Sequence, residues 1–142
     1  MTNRSAPPGP IVPVLPCKDV SKALAWLSEA FGFTERFRTP PEPDGAIHHA
    51  QLAVGDGAVI LTGRPSTESK PVALNASLFV PVADVDALCA RAAQFGAHVT
   101  AAPHTCPFGE RQATVEAPEG YLWTFSQSVA DVAPQEWGAI LP

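Results

Sequence analysis

The sequence is poor in several features that define other classes of protein. Its three cysteines are an odd number, which does not fit a disulfide framework. No apolar run approaches the roughly 18 residues that a membrane span requires. Residues 1–10 are polar and rich in proline, without the apolar core of a secretory signal. We therefore expect a cytoplasmic protein with reduced thiols and no membrane partner.

Basic residues are also sparse. Nine Lys and Arg face 14 Asp and Glu, the formal net charge is -5, and no basic cluster occurs. Binding to a nucleic acid backbone needs a basic patch, so we expect no nucleic acid partner. The hydrophobic fraction of 46% and the charged fraction of 16% are ordinary for a globular protein. The length of 142 residues fits one domain with a real core, which we place at 1–142.

The chain contains an internal repeat. Residues 14–20 (VLPCKDV) lead to Phe31-Gly32, and residues 80–85 (VPVADV) lead to Phe95-Gly96. Each copy reads as an apolar strand, an Asp-Val step, a helix-length stretch and a Phe-Gly stop. The separation of the two copies is too long for the stacked repeats of a solenoid. The repeat instead predicts one supersecondary unit, duplicated, with a ligand cavity between its two copies.

The first unit, at about residues 11–62, predicts the order βαβββ. A strand at 11–17 precedes Asp19, which is suited to cap a helix. The helix would bury one face and stop at Gly32. A strand at 33–38 and a hairpin of 47–54 and 58–62, closed by Gly55-Asp56-Gly57, complete the unit. The apolar residues at helical spacing are Val20, Ala23, Leu24, Leu27 and Phe31.

The second unit, at about residues 74–127, predicts the same order after a linker at 63–73. A strand at 74–82 precedes a helix capped by Asp84 and stopped by Gly96. A strand at 97–101, a loop at 102–108 and a hairpin of 110–116 and 121–127 follow. The tail, residues 128–142, has Trp137 as its one large apolar anchor. The apolar face of the helix would comprise Val85, Leu88, Ala92 and Phe95.

Three stretches carry a resemblance to a known family. They are residues 108–112 (FGERQ), 117–125 (APEGYLWTF) and 49–57 (HAQLAVGDG). Together with the tandem βαβββ units, they resemble the vicinal oxygen chelate superfamily, which includes glyoxalase I, bleomycin-resistance proteins, fosfomycin-resistance enzymes and extradiol dioxygenases. The resemblance implies an α+β fold, with two tandem βαβββ units forming curved mixed sheets around a cavity, and a homodimer.

In the enzymes of this superfamily, the resemblance implies a divalent metal held by His and Glu side chains from equivalent strands of both units. The metal leaves open positions that two neighbouring substrate oxygens chelate. The implied ligand positions fall here on Val12, Leu61, Ser77 and Thr124. A hard divalent ion needs carboxylate or imidazole donors, and a shift of one residue supplies none. We therefore predict no metal, no other cofactor and no catalytic residue.

Other metal ligands are conceivable. His98, His104, Cys106 and Glu110 lie close together in the sequence, but zinc sites usually show paired ligand sets, and no second set occurs. This stretch is therefore interpreted as a polar loop. His48 and His49 would face opposite sides of a strand, which leaves His49 as the residue that points into the cavity. Its companions there would be Gln51 and Ala53, while Ala50, Leu52 and Val54 pack into the core. A lone His is more often a hydrogen-bonded surface or rim residue, and this alternative stays open.

The remaining candidates have two interpretations each. Cys17 and Cys89 are interpreted as small packing residues. Arg111 either binds an anionic group of a ligand or pairs with an acid of its own hairpin, and the second role is favoured. Phe79 and Phe108 are possible stacking surfaces, whereas Trp123 and Phe125 would alternate with Thr124 and lie in the core. The acids available to Arg111 are Glu110, Glu116 and Glu119.

The favoured function is therefore a metal-free small-molecule binding protein of the glyoxalase/bleomycin-resistance type, which sequesters a drug or aromatic metabolite. Acidic charge would favour cationic ligands, and a non-enzymatic role is favoured over catalysis. One alternative is a metal-dependent lyase or dioxygenase that uses His49, Gln51, His104 and Glu110 as non-standard ligands. Another is a stress-related or regulatory protein whose cavity has lost its chemistry. The candidate ligand-binding residues are Val12, Val14, His49, Gln51, Leu61, Ser77, Phe79, Phe108, Arg111 and Thr124.

Overall fold

The computed structural model describes residues 3–64 and 76–142. The chain divides into two compact units, Met1–Ala73 (unit 1) and Leu74–Pro142 (unit 2). Most of the predicted linker at 63–73 and the first part of the predicted strand at 74–82 lie outside the described residues. No helix in the described parts of the chain has the length and apolar character needed to cross a membrane.

Unit 1 has the predicted βαβββ order. Its elements are β1 (Val14–Cys17), α1 (Val20–Phe31), β2 (Thr34–Arg38), β3 (His49–Val54) and β4 (Gly57–Gly63). The strands lie in the order β1-β4-β3-β2, with β1 parallel to β4 and the other pairs antiparallel, so the sheet is mixed. β1 is shorter than predicted, because Pro13 contributes to the sheet only its carbonyl, which accepts from the Ile60 N–H at 2.9 Å.

Helix α1 is positioned by its caps and by its buried face. Asp19 Oδ1 accepts from the Lys22 N–H at 3.0 Å, and the helix ends at Gly32, whose φ of 74° is left-handed. The predicted apolar face is buried, together with Ala30. Strand alternation sends every second sheet residue towards the same core. These buried strand residues are Leu15, Cys17, Ala50, Leu52, Val59 and Leu61.

Unit 2 repeats the order. Its elements are β5 (Ser77–Pro81), α2 (Val85–Gln94), β6 (His98–Thr105), β7 (Glu110–Glu116) and β8 (Leu122–Ser128). The strands lie in the order β5-β8-β7-β6, and β5 runs parallel to β8. β6 extends beyond its predicted end at residue 101. Pro103 is tolerated in it because β6 is an edge strand whose register shifts between Ala101 and His104.

Helix α2 is held at its start by two side chains. Asp84 Oδ1 accepts from the Ala87 N–H and Gln127 Oε1 accepts from the Val85 N–H, both at 3.0 Å. The predicted apolar face needs two corrections: the helix ends at Gln94 and Phe95 is 41% exposed, and Leu88 is only half-buried. Burial, the main cause, raises the pKa of the Cys89 thiol, as expected of a packing residue. The core comprises Val85, Cys89, Ala92, Ala113, Val115, Trp123 and Phe125.

The C-terminal tail folds back on the turn that precedes β7. The N–H groups of Val129 and Ala130 donate to the carbonyl of Gly109 at 2.9 and 3.1 Å. Trp137, at the end of a short 3₁₀ helix (Pro134–Trp137), meets the ring of Phe108 edge-on at a centroid distance of 5.6 Å. The tail is therefore anchored within unit 2, and Trp137 is its aromatic anchor as predicted.

Candidate functional site

Each sheet has a face that points away from the helix of its own unit, here called its far face. On the far face of unit 1, the register aligns Val14, Ile60, Gln51 and Phe37 in one row across the four strands. His49 lies one row further along, and its ring stacks on that of Phe37 at 6.0 Å between centroids and 22° between planes. Three predicted site residues, Val14, His49 and Gln51, therefore share one face.

Leu61 and Val12 do not join this row. Leu61 pairs with Ala50 and Leu15 and has none of its surface exposed, so it lies on the helix side of the sheet. The predicted position of Leu61 on the cavity side is corrected, since alternation gives that place to its neighbours Ile60 and Thr62. Val12 is half-buried and precedes β1.

Gln51 is buried, with 3% of its surface exposed, and both ends of its amide form a hydrogen bond. Its Oε1 accepts from Arg36 Nη1, and its Nε2 donates to the carbonyl of Ser5 at 3.2 Å. Arg36 Nη2 donates to the carbonyls of Arg4 and Ala6 at 3.2 and 3.3 Å. The N-terminal residues 4–6 thus lie across the far face of unit 1. Sequence reasoning missed Arg36, which sits at an irregularity of β2 between Glu35 and Phe37.

The far face of unit 2 carries a row of hydroxyl groups and an exposed ring. Thr124 Oγ1 hydrogen-bonds with Ser77 Oγ at 3.1 Å and with Thr114 Oγ1 at 3.0 Å. Phe79, which pairs with Thr124, exposes 53% of its surface. The predicted site residues Ser77, Phe79 and Thr124 are therefore brought together, while Trp123 and Phe125 face the core as predicted.

The carboxylate of Glu110 lies on this second face. Glu110 Oε1 accepts from Ser126 Oγ at 2.8 Å, and Glu110 Oε2 accepts from Gln112 Nε2 at 3.4 Å. Ser126 is buried, with 3% of its surface exposed, so its hydroxyl holds the Glu110 carboxylate in place from the buried side. Gln112 pairs with Ser126. Thr124 lies two residues before Ser126 in β8, so both point to the same face. Glu110 therefore places a carboxylate on the face that carries the hydroxyl row and the ring of Phe79.

Arg111 does not belong to either far face. Its guanidinium donates two hydrogen bonds to the carboxylate of Asp86 in α2, from Nε at 2.7 Å and from Nη2 at 2.8 Å. The hydrogen bond from Arg111 is the main cause that lowers the pKa of Asp86. The predicted structural role of Arg111 is right in kind, but its partner is Asp86 and not one of the hairpin acids Glu110, Glu116 and Glu119. Arg111 shares the side of β7 that carries Ala113, and that side faces α2.

Phe108 lies in the turn before β7, where Trp137 meets its ring. It is therefore separate from the row that contains Phe79 and Thr124. Both phenylalanines were predicted as possible stacking surfaces, but only Phe79 lies within a strand of the far face.

The donor set does not fit the divalent metal that the resemblance implies. The four implied positions carry two aliphatic side chains and two neutral hydroxyls, which are poor ligands for a hard ion. Across residues 3–64 and 76–142, no three or more His, Cys, Asp or Glu side chains come together as a metal-binding group. His104 Nδ1 lies 2.9 Å from the carbonyl of Ala102 on its own strand, and His98 lies beside Glu116.

The fold and the motifs agree with a comparison of the sequence with known families. The chain belongs to the Glyoxalase/Bleomycin resistance protein/Dioxygenase superfamily, whose family profile matches residues 10–125. The two βαβββ units with their mixed four-stranded sheets, as seen in the described residues, confirm the predicted α+β fold.

Individual relatives are similar over most of the chain. Uncharacterized protein Mb0911c of Mycobacterium bovis is 30% identical over 132 residues, covering 87% of this chain and 86% of its own. The crystal structure of TioX from Micromonospora sp. ML1 is 33% identical, with a TM-score of 0.69, over 83% of this chain and 97% of that one. A glyoxalase/bleomycin resistance protein from Streptomyces sp. CB03234 is 30% identical, with a TM-score of 0.62, over 82% and 97% of the two chains.

Proposed function

We propose that this chain is a metal-free small-molecule binding protein of the glyoxalase/bleomycin-resistance type, which sequesters a drug or aromatic metabolite. The observation that carries the proposal is the far face of unit 2, where the half-exposed ring of Phe79 stands beside the hydroxyl row of Ser77, Thr124 and Thr114. Ligand sites commonly combine apolar and aromatic surface with a few placed polar groups. The solved Streptomyces relative, named as a glyoxalase/bleomycin resistance protein, supports the class.

The chemistry of this face favours a planar ligand with a positive charge. The ring of Phe79 offers a surface on which another ring can stack. The carboxylate of Glu110, held in place by Ser126, attracts a cationic group, and the net charge of -5 acts in the same direction. The hydroxyls of Ser77 and Thr124 can donate to or accept from the ligand.

A fluorescence titration tests the proposal. We expect bleomycin-like and planar aromatic antibiotics to quench the tryptophan emission of the protein in a saturable manner. Phe79→Ala should weaken binding roughly tenfold, because burying a phenylalanine ring is worth about 1.5–3 kcal/mol. Phe95→Ala is the matched control, since Phe95 is also exposed but follows α2. Absence of quenching across the panel, or equal losses in both variants, would contradict the proposal.

Glu110→Gln separates charge from shape in the same titration. The variant should weaken the binding of cationic ligands and leave the binding of neutral aromatic ligands unchanged, because the amide keeps the size of the side chain but not its charge.

Elemental analysis tests the metal-dependent alternative. The protein is purified without chelator or nickel resin, is then offered divalent metals, and its metal content is measured. Close to one metal per chain would favour the lyase or dioxygenase alternative with non-standard ligands.

A further inference from the structure

The N-terminal turn presents three successive carbonyl oxygens to the far face of unit 1. Asn3 organises the turn, because its Oδ1 accepts from the Ser5 N–H at 3.0 Å and its carbonyl accepts from the Ala6 N–H at 3.2 Å. The carbonyls of Arg4 and Ala6 accept from Arg36, and that of Ser5 accepts from Gln51. The turn thereby places a cluster of oxygen atoms over two donor side chains.

The hydrogen-bond acceptors of Arg36 in the described part of the chain are neutral. Within residues 3–64 and 76–142 the structure gives this guanidinium no carboxylate partner, and its acceptors are the Gln51 amide and two peptide carbonyls. Arg38, two residues further along β2, instead holds Glu35 with two hydrogen bonds of 2.7 Å. A guanidinium binds a carboxylate with two parallel, charge-assisted hydrogen bonds, which are stronger than those to neutral carbonyls. Arg36 is therefore held by weaker acceptors than its chemistry allows.

The surroundings of Arg36 suit an aromatic acid. Its guanidinium carbon lies 5.8 Å from the centroid of the Phe37 ring, and that ring stacks on His49. The buried amide of Gln51 adds a fixed donor, Nε2, beside the guanidinium. A flat ring can lie against this aromatic pair while a carboxylate attached to it reaches Arg36 and Gln51.

We propose that Arg36 and Gln51 form a binding site for an aromatic carboxylate, which the turn at residues 4–6 occupies until a ligand displaces it. The carboxylate oxygens would replace the carbonyl oxygens of Arg4, Ser5 and Ala6 on the same donors. The turn competes with the ligand for the same donors. The larger the fraction of molecules in which the turn is bound to Arg36 and Gln51, the lower the apparent affinity for the ligand. This proposal rests on residues of unit 1, whereas the proposed function rests on residues of unit 2, so variants of either unit test the two proposals separately.

The first test is a titration of the full chain, labelled with nitrogen-15, with sodium benzoate. We expect saturable shifts of the Gln51 side-chain amide, with shifts of the Ser5 and Ala6 backbone amides at the same midpoint. Pro7→Gly/Pro8→Gly loosens the turn without touching a donor, because glycine raises the entropy of the released segment. This double variant should bind benzoate about fivefold more tightly. Movement of Gln51 without Ser5 and Ala6, or unchanged affinity in the double variant, would overturn the proposal.

The second test removes the charge. Arg36→Gln should weaken benzoate binding about tenfold or more, because the charge-assisted pair is lost. Arg38→Gln is the matched control, since it removes the same charge from the same strand, and it should bind like wild type. Benzamide, which is neutral, should bind to none of the variants. If Arg36→Gln does not fold, Arg36→Lys takes its place. It keeps the positive charge but cannot form the two parallel hydrogen bonds of a guanidinium, so it should also weaken benzoate binding. Equal binding of benzoate and benzamide to wild type would refute the site.

Discussion

At the scale of single residues, the pair of Arg111 and Asp86 joins β7 to α2 within unit 2. The guanidinium lowers the pKa of Asp86 below its ordinary value of 3.8, chiefly through the hydrogen bond between them. The lowered pKa means that the pair stabilises the folded state above that ordinary value. The contribution is lost as the pH falls through the lowered pKa of the folded state.

This linkage predicts how Arg111→Gln changes the pH dependence of stability. The variant should be slightly less stable than wild type at neutral pH, because exposed ion pairs contribute little. The difference should shrink as the pH falls below 3.8, where Asp86 gains its proton. Urea denaturation of both proteins, at neutral pH and along an acid series, measures the two free energies of unfolding. A difference that stays constant down the acid series would contradict the role of the ion pair.

Single residues also mark the limit of what the sequence predicts about the site. Because side chains alternate along a strand, an error of one position moves a residue to the other face, as happened with Leu61. Ser77, Phe79 and Thr124, all named as candidate binding residues, share the far face of unit 2, and the motif after the turn indicated which residues of β8 face the core. Arg36 escaped prediction because it stands at a break in the register of β2, and no residue pattern signals that break.

At the scale of elements, the helix starts were the best predicted features. An Asp followed by an apolar periodic stretch indicates a cap through local hydrogen bonding alone, and both Asp19 and Asp84 act in that way. The strand ends were predicted less well. β6 continues past Pro103 only because it lies at the edge of its sheet, and a position at an edge is a property of the folded sheet.

The capping residues Asp19 and Asp84 are expected to contribute unequally to the free energy of unfolding. Asp19→Ala should lower the free energy of unfolding by about 1 kcal/mol, the usual cost of losing a cap. Asp84→Ala should cost less, because Gln127 still accepts from the Val85 N–H at the same helix terminus. Chemical denaturation of both variants measures the costs. The double variant Asp84→Ala/Gln127→Ala is the control, and it should cost more than Asp84→Ala alone. Equal costs for Asp19→Ala and Asp84→Ala would contradict the supporting role of Gln127.

At the scale of the whole molecule, the homodimer implied by the family resemblance stays a prediction. Sedimentation equilibrium at micromolar concentration should give twice the mass of the chain. Apolar side chains on the surface of the tail, Ile140 and Leu141 among them, are available for such an association. The control is a dilution series, in which a true dimer dissociates with a defined midpoint. The mass of a single chain at every concentration would exclude the dimer.

The parallel strand pairs have a consequence for how the chain is made. In each unit the first strand closes on the last, as Val14 pairs with Ile60 and Ser77 pairs with Leu122. Such long-range pairs carry the entropy cost of closing a long loop and slow the folding of the sheet. On the ribosome, unit 1 has all its strands once β4 has emerged, whereas the sheet of unit 2 is incomplete until β8 has been synthesised. Synthesis therefore favours vectorial folding, with the sheet of unit 1 complete while β5 still waits for its partner.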